Sequence, residues 1–143
     1  MKSKLFLVGM ALAAMALHAC SETADLIEVV KPVPAIRTEN FPVKPIKVDS
    51  TVVLRVYYQP SNGCGRFSRI DSTTTQPSST TKVTNVQFFA AYPEEGQDVV
   101  CTAQAKESQY TLNYKAKTVG KHIFKFWKTD SEFVSDTVTV EAR

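Results

Sequence analysis

From Ile46 onward this chain reads as strand after strand, its apolar residues recurring at every second position within each segment, and nowhere after residue 19 do they keep a helical period. A period of two places one set of side chains on a single face of a strand, so the chain must bury sheets against each other. Thr51 to Tyr58 puts Val52, Leu54, Val56 and Tyr58 on one face and Val53, Arg55 and Tyr57 on the other. Pro60-Ser61-Asn62-Gly63 is turn chemistry, and a short segment starts at Cys64. Asp71 to Thr81 is polar throughout and predicts an exposed loop. Lys82 to Tyr92 resumes the strand pattern, and its Phe88-Phe89 pair must point to opposite faces. Val99 to Ala105 predicts a short strand carrying Cys101. Three clear strands close the chain. Tyr110, Leu112 and Tyr114 share a face; Gly120 turns the chain into inward His122, Phe124 and Phe126; Val138 and Val140 finish it. About seven short strands joined by turns predict an all-β fold, an antiparallel β-sandwich.

The N-terminus carries a different signal. Lys2 and Lys4 precede an apolar run from Leu5 to Leu17, which is too short to span a bilayer at about 20 residues. Its length and flanks are those of a cleaved signal. The junction Leu17-His18-Ala19-Cys20 resembles the bacterial lipobox: an aliphatic residue, then a small one directly before a cysteine. The resemblance implies that Cys20 becomes the mature N-terminus, carrying a diacylglycerol thioether and an N-acyl chain such as palmitate. Two or three acyl chains anchor stably, whereas one holds only marginally. Ser21 follows the cysteine rather than an aspartate, which by the enterobacterial sorting rule implies the outer membrane, on its periplasmic or surface-facing side.

These features divide the chain into a lipoprotein signal peptide at 1–19, a lipid-anchored tether at 20–45 and a sandwich at 46–143. Pro32, Pro34, Pro42 and Pro45 give the tether extended, polyproline-like geometry, with Val29, Val33 and Ile36 able to pair at a sheet edge. Export to an oxidising compartment leaves Cys64 and Cys101 as the only thiols besides the acylated one, so they are expected to form a disulfide.

Two family resemblances follow. The segment from Tyr110 to Val140 resembles the last three strands of immunoglobulin-like domains on bacterial envelope proteins. Gly120-Lys121-His122-Ile123-Phe124-Lys125-Phe126 stands for their Gly-x-Tyr-x-Leu-x-Phe strand, with His122 in the tyrosine position. That implies an immunoglobulin-like sandwich. The Cys64–Cys101 spacing does not match the antibody-type disulfide. The whole layout resembles small uncharacterised lipoproteins of the Bacteroidetes type.

Composition removes several classes of function. With Lys2 and Lys4 in the signal, 15 of the 17 basic residues face 14 acidic ones, a mature charge near +1 and no field for nucleic acid. No metal site and no cofactor are expected, since His122 is the only imidazole past the signal and no CxxC spacing occurs. His122, beside two inward phenylalanines, is expected to be structural rather than catalytic. Glu94 and Glu95 form a solvated turn. Lys115, Lys117, Lys121, Lys125 and Lys128 occupy exposed strand positions that discourage edge pairing. Arg55, Tyr57 and Trp127 face outward and have the composition of a binding hot spot. Asp71-Ser72-Thr73 resembles the Asp-(Ser/Thr)-x acceptor of O-glycosylated Bacteroidetes proteins, with Ser72 as acceptor; Asp49-Ser50-Thr51 and Asp136-Thr137-Val138 share the pattern. The expectation is a membrane-anchored, non-enzymatic protein that binds or positions an envelope protein or glycan. The alternative is an inhibitor or ligand-binding lipoprotein acting through exposed loops.

Overall fold

The computed structural model describes residues 26–143. The expected signal segment 1–19, Cys20 and the first residues of the tether lie outside the described residues. Alternating β-branched and aromatic positions form nine strands here and no helix. They are β1 (Glu28–Val33), β2 (Ala35–Glu39), β3 (Ile46–Lys47), β4 (Thr51–Tyr58), β5 (Arg66–Ser78), β6 (Thr81–Pro93), β7 (Ser108–Lys115), β8 (Gly120–Trp127) and β9 (Phe133–Glu141).

Two sheets result, one of six strands and one of three. The small sheet runs β2-β4-β7. In the large one β6 is the hub: β5 lies beside it, and β1 and β8 pair with different stretches of it, followed by β9 and β3. Between the sheets lie Leu54, Val56, Phe88, Phe126, Val138 and Val140, none more than 2% exposed. The alternation expected for β4, β8 and β9 is therefore the one observed.

The all-β sandwich stands, with four differences in detail. First, two pairings are parallel, β6 with β8 and β3 with β9, so the large sheet is mixed rather than antiparallel. The cause is topological: the chain leaves β6 for β7 in the opposite sheet and returns to β8 in the same direction.

Second, the sandwich begins at Glu28 and not at Ile46. β1 and β2 lie within the expected tether, and Val33 and Ala35 are each 1% exposed. Pro32 is tolerated because β1 pairs on one side only, leaving its missing donor to face solvent. Pro34 stands where the chain passes from the large sheet to the small one.

Third, Asp71 to Thr81 is not a loop but the later part of β5, the hairpin turn at Ser79-Thr80 and the first residue of β6. Threonines favour the pleated backbone, and an edge strand this exposed needs no apolar alternation to reveal it. Fourth, Val99 to Ala105 is irregular. Val100 is 98% exposed, so the apolar residues there serve no sheet face.

One turn is fixed by a glycine. Gly120 has φ of +128°, and a Cβ built on it would overlap the Thr80 carbonyl oxygen, which accepts the Lys121 amide at 2.7 Å. Gly120→Ala is expected to destabilise the domain by more than about 1 kcal/mol, measured as a drop in the urea midpoint at unchanged slope. Gly96 also has positive φ but open space around it. Gly96→Ala carries the conformational penalty without the overlap and should cost less.

Candidate functional site

The outward residues separate into two faces. Tyr57 lies on the outer face of the small sheet, opposite Gln109 of β7 and Arg37 of β2. The Arg37 guanidinium sits 3.5 Å above its ring and reaches Glu39 and Glu107. The Tyr57 hydroxyl donates to Glu39 at 2.8 Å and lies 3.0 Å from the Gln109 amide oxygen. That hydroxyl, followed by Arg37, holds the Glu39 carboxyl below the usual carboxylate range. Arg55 adds a more distant positive charge to the same group. The cluster satisfies itself internally.

Trp127 belongs to the other sheet. It faces outward beside Phe133, its partner across β8 and β9, over a depression of about 160 Å³ bordered by Asp71, Thr73, Asn85 and Gln87. The structure therefore brings Arg55 and Tyr57 together and leaves Trp127 apart. The single patch expected from composition is two separate surfaces, because alternation gives the outward direction on a strand but not the sheet to which that strand belongs.

His122 is 6% exposed and joins two hydroxyls. Tyr114 bonds its Nδ1, and Thr118 Oγ1 lies 3.2 Å from its Nε2. A neutral imidazole has one donor and one acceptor, so both hydroxyls can be satisfied without charging the ring. Burial and then Lys82 push its pKa below the ordinary 6.5. The unfolded chain thus binds a proton that the folded domain resists. The stabilisation this gives is complete above pH 6.5 and is lost as pH falls toward the lowered value, below which it changes no further. His122→Gln is expected to flatten the pH dependence of the unfolding free energy in that window, and to cost about 1–3 kcal/mol at neutral pH.

The disulfide follows from two turns that meet. Asn62 accepts the Cys64 amide at 3.0 Å and shapes the first turn, whose Gly63 amide donates to the Thr102 carbonyl at 2.9 Å. Cys64 and Cys101 stand with Cα atoms 5.2 Å apart and their sulfurs bonded.

Sequence reasoning missed a cleft between the sheets. β7 ends the small sheet, whereas the large sheet runs on past β6 to β5, so the inner face of that hairpin is only partly covered. The gap holds about 390 Å³, within the range of small-ligand sites. Ile70, Val86, Phe88, Leu112 and Phe126 form its apolar walls, with Ser72 and Thr84 at its polar side. Beside it, sharing Thr84, Tyr114 and Phe124 in its lining, lies a hollow of about 190 Å³ bordered by Lys82, Lys115 and Lys117. Tyr110, Leu112 and Tyr114 stay half-exposed along the cleft, where a fully covered strand would bury them, and nothing in their alternation marks the difference.

The remaining candidates are placed as follows. Ser72 is exposed and paired opposite Val86, in the middle of β5 rather than in a loop. The lysines form no single stripe: Lys115 and Lys117 border the hollow, Lys121 and Lys125 lie on the outer face of β8, and Lys128 pairs with Glu132 at 2.9 Å. Among the described residues no group of three or more His, Cys, Asp or Glu is placed to hold a metal ion. No protein-family model, no curated protein and no solved structure matches this chain.

Proposed function

We propose that the protein is a lipoprotein of the bacterial cell envelope, anchored through acylated Cys20 and probing its surroundings with a disulfide-stapled β-sandwich that binds a partner rather than transforming a substrate. The observation that carries the anchor is the sequence Leu17-His18-Ala19-Cys20, placed directly after a short apolar run. The paired Cys64 and Cys101 fit an oxidising compartment such as the periplasm or cell surface. A binding role is favoured because the only histidine among the described residues has both ring nitrogens occupied by neighbouring hydroxyls. An envelope protein is the first partner class, and the outer membrane the first location, given Ser21 after the anchor cysteine.

Cys20→Ala is expected to move the protein from the membrane fraction to the soluble fraction, with the sandwich still folded. Photo-cross-linking from the sandwich surface in intact cells should then yield a discrete adduct only with the anchored form. Equal membrane association of the two forms would remove the lipid anchor from the account.

Trp127 favours a second reading, in which the partner is a glycan. An aromatic face beside Asp71, Asn85 and Gln87 combines a stacking platform with hydrogen-bonding groups suited to sugar hydroxyls. Glycan-array binding that disappears in Trp127→Ala and persists in Tyr57→Ala would establish it. An inhibitor role through the turn at 59–65 is the remaining alternative. O-glycosylation of Ser72 belongs to the same envelope setting.

A further inference from the structure

The cleft between β7 and the β5–β6 hairpin adjoins a hollow of different chemistry. The cleft is apolar, walled by Phe88, Leu112 and Phe126. The hollow that adjoins it across Thr84, Tyr114 and Phe124 is bordered by Lys82, Lys115 and Lys117, with Thr74 and Thr118 and without a carboxylate in its lining. A wholly apolar occupant of the cleft would leave the three lysines bordering the adjoining hollow without a counter-charge. A small inorganic anion would leave the apolar walls facing water. Only a molecule carrying both properties suits the cleft and the hollow together.

We infer that the cleft is a binding site for a single-chain amphipathic anion of the fatty-acid class, its chain lying between the sheets and its carboxylate among the three lysines. At about 30 Å³ per water-sized group, a space of 390 Å³ accommodates roughly a dozen chain atoms. The fatty-acid class is favoured over a phospholipid because one gap of this size takes one short chain. This inference rests on the protein being a binder and names the ligand class of one site; it does not depend on the lipid anchor or on a protein partner.

The test uses the full chain carrying Cys20→Ala, which takes up no acyl chain, titrated with decanoate, decanol and inorganic phosphate by calorimetry, with amide chemical shifts followed in parallel. Decanoate is expected to saturate one site and shift the amides of Tyr110, Leu112 and Tyr114. Decanol should bind roughly tenfold more weakly, two or three partly exposed charge pairs each contributing about a two- to fivefold factor. Phosphate alone should not compete at equal concentration. Ser72→Trp, at an exposed residue on the cleft's rim, should reduce decanoate affinity at least about tenfold with the fold retained. Lys82→Gln with Lys117→Gln should bring decanoate down to the level of decanol.

Equal binding of decanoate and decanol, undiminished binding by Ser72→Trp, or no saturable binding to the folded chain would each overturn the inference. So would phosphate competing as well as decanoate. Cross-linking in intact cells reads the sandwich surface independently of the cleft. A negative titration beside a positive cross-link therefore removes this site alone, and both negative removes the binding role itself.

Discussion

Phe88→Ala is expected to bring the domain close to its unfolding threshold. Phe88 is 1% exposed, and its ring stacks on Tyr58 at 5.1 Å and meets Tyr110 edge-on at 5.6 Å. Phe126 lies beyond it at 6.2 Å. Removing a buried phenylalanine side chain costs about 3–5 kcal/mol through lost transfer energy and the cavity left behind. Each aromatic neighbour adds roughly 0.5–1.5 kcal/mol of specific contact on its own account. The loss is a large fraction of the total of about 5–15 kcal/mol that a domain of this size possesses. Its neighbour provides the control: Phe89 faces the other way, half-buried under the Arg69 guanidinium at 4.1 Å, and Phe89→Ala should cost clearly less. Urea titrations followed by the single tryptophan would measure both. Equal losses would mean that the inward face of β6 is misassigned.

Removing the disulfide is the second large effect. Cys64→Ser with Cys101→Ser opens a loop of sequence separation 37, worth about 4 kcal/mol in the chain-entropy treatment. The loss should be felt unevenly. β5 and β6 remain paired along their length. The irregular stretch from 94 to 107 is tied to the first turn mainly by the sulfur bridge, by Gly63 N–H to Thr102 O and by Gln59 Nε2 to Ala105 O at 3.0 Å. Amide exchange there should accelerate before global unfolding, and the reduced wild type should match the double variant. Identical denaturation midpoints for oxidised and reduced protein would contradict this.

The inward faces of β4, β8 and β9 were legible because each alternates apolar and polar residues over a full strand with one covered face. β5 was not, because its outer position leaves Ser72 to Thr75 exposed on a paired backbone. Polar composition signals solvent, and here solvent reached a strand. β1 and β2 were obscured by Pro32 and Pro34, whose effect on the backbone is local, while their tolerance depends on which strand edge faces outward. The parallel pairing of β6 with β8 is a property of how distant segments dock and leaves no trace in either strand alone.

For the site, alternation gave the outward direction of Tyr57 and Trp127 but not their distribution over two sheets. It also identified His122 as inward, and the structure supplies the two hydroxyls that hold it. The cleft was the hardest to foresee. It exists because one sheet is wider than the other, and sheet width is a property of the assembled topology.

The most direct test of the envelope account is the intact mass of the protein extracted from its native membrane, with thiols alkylated before and after reduction. The account predicts a chain beginning at Cys20 plus the mass of its acyl groups, with two alkyl groups added only after reduction. A chain without acyl groups, or one that alkylates at Cys64 and Cys101 without reduction, would contradict it.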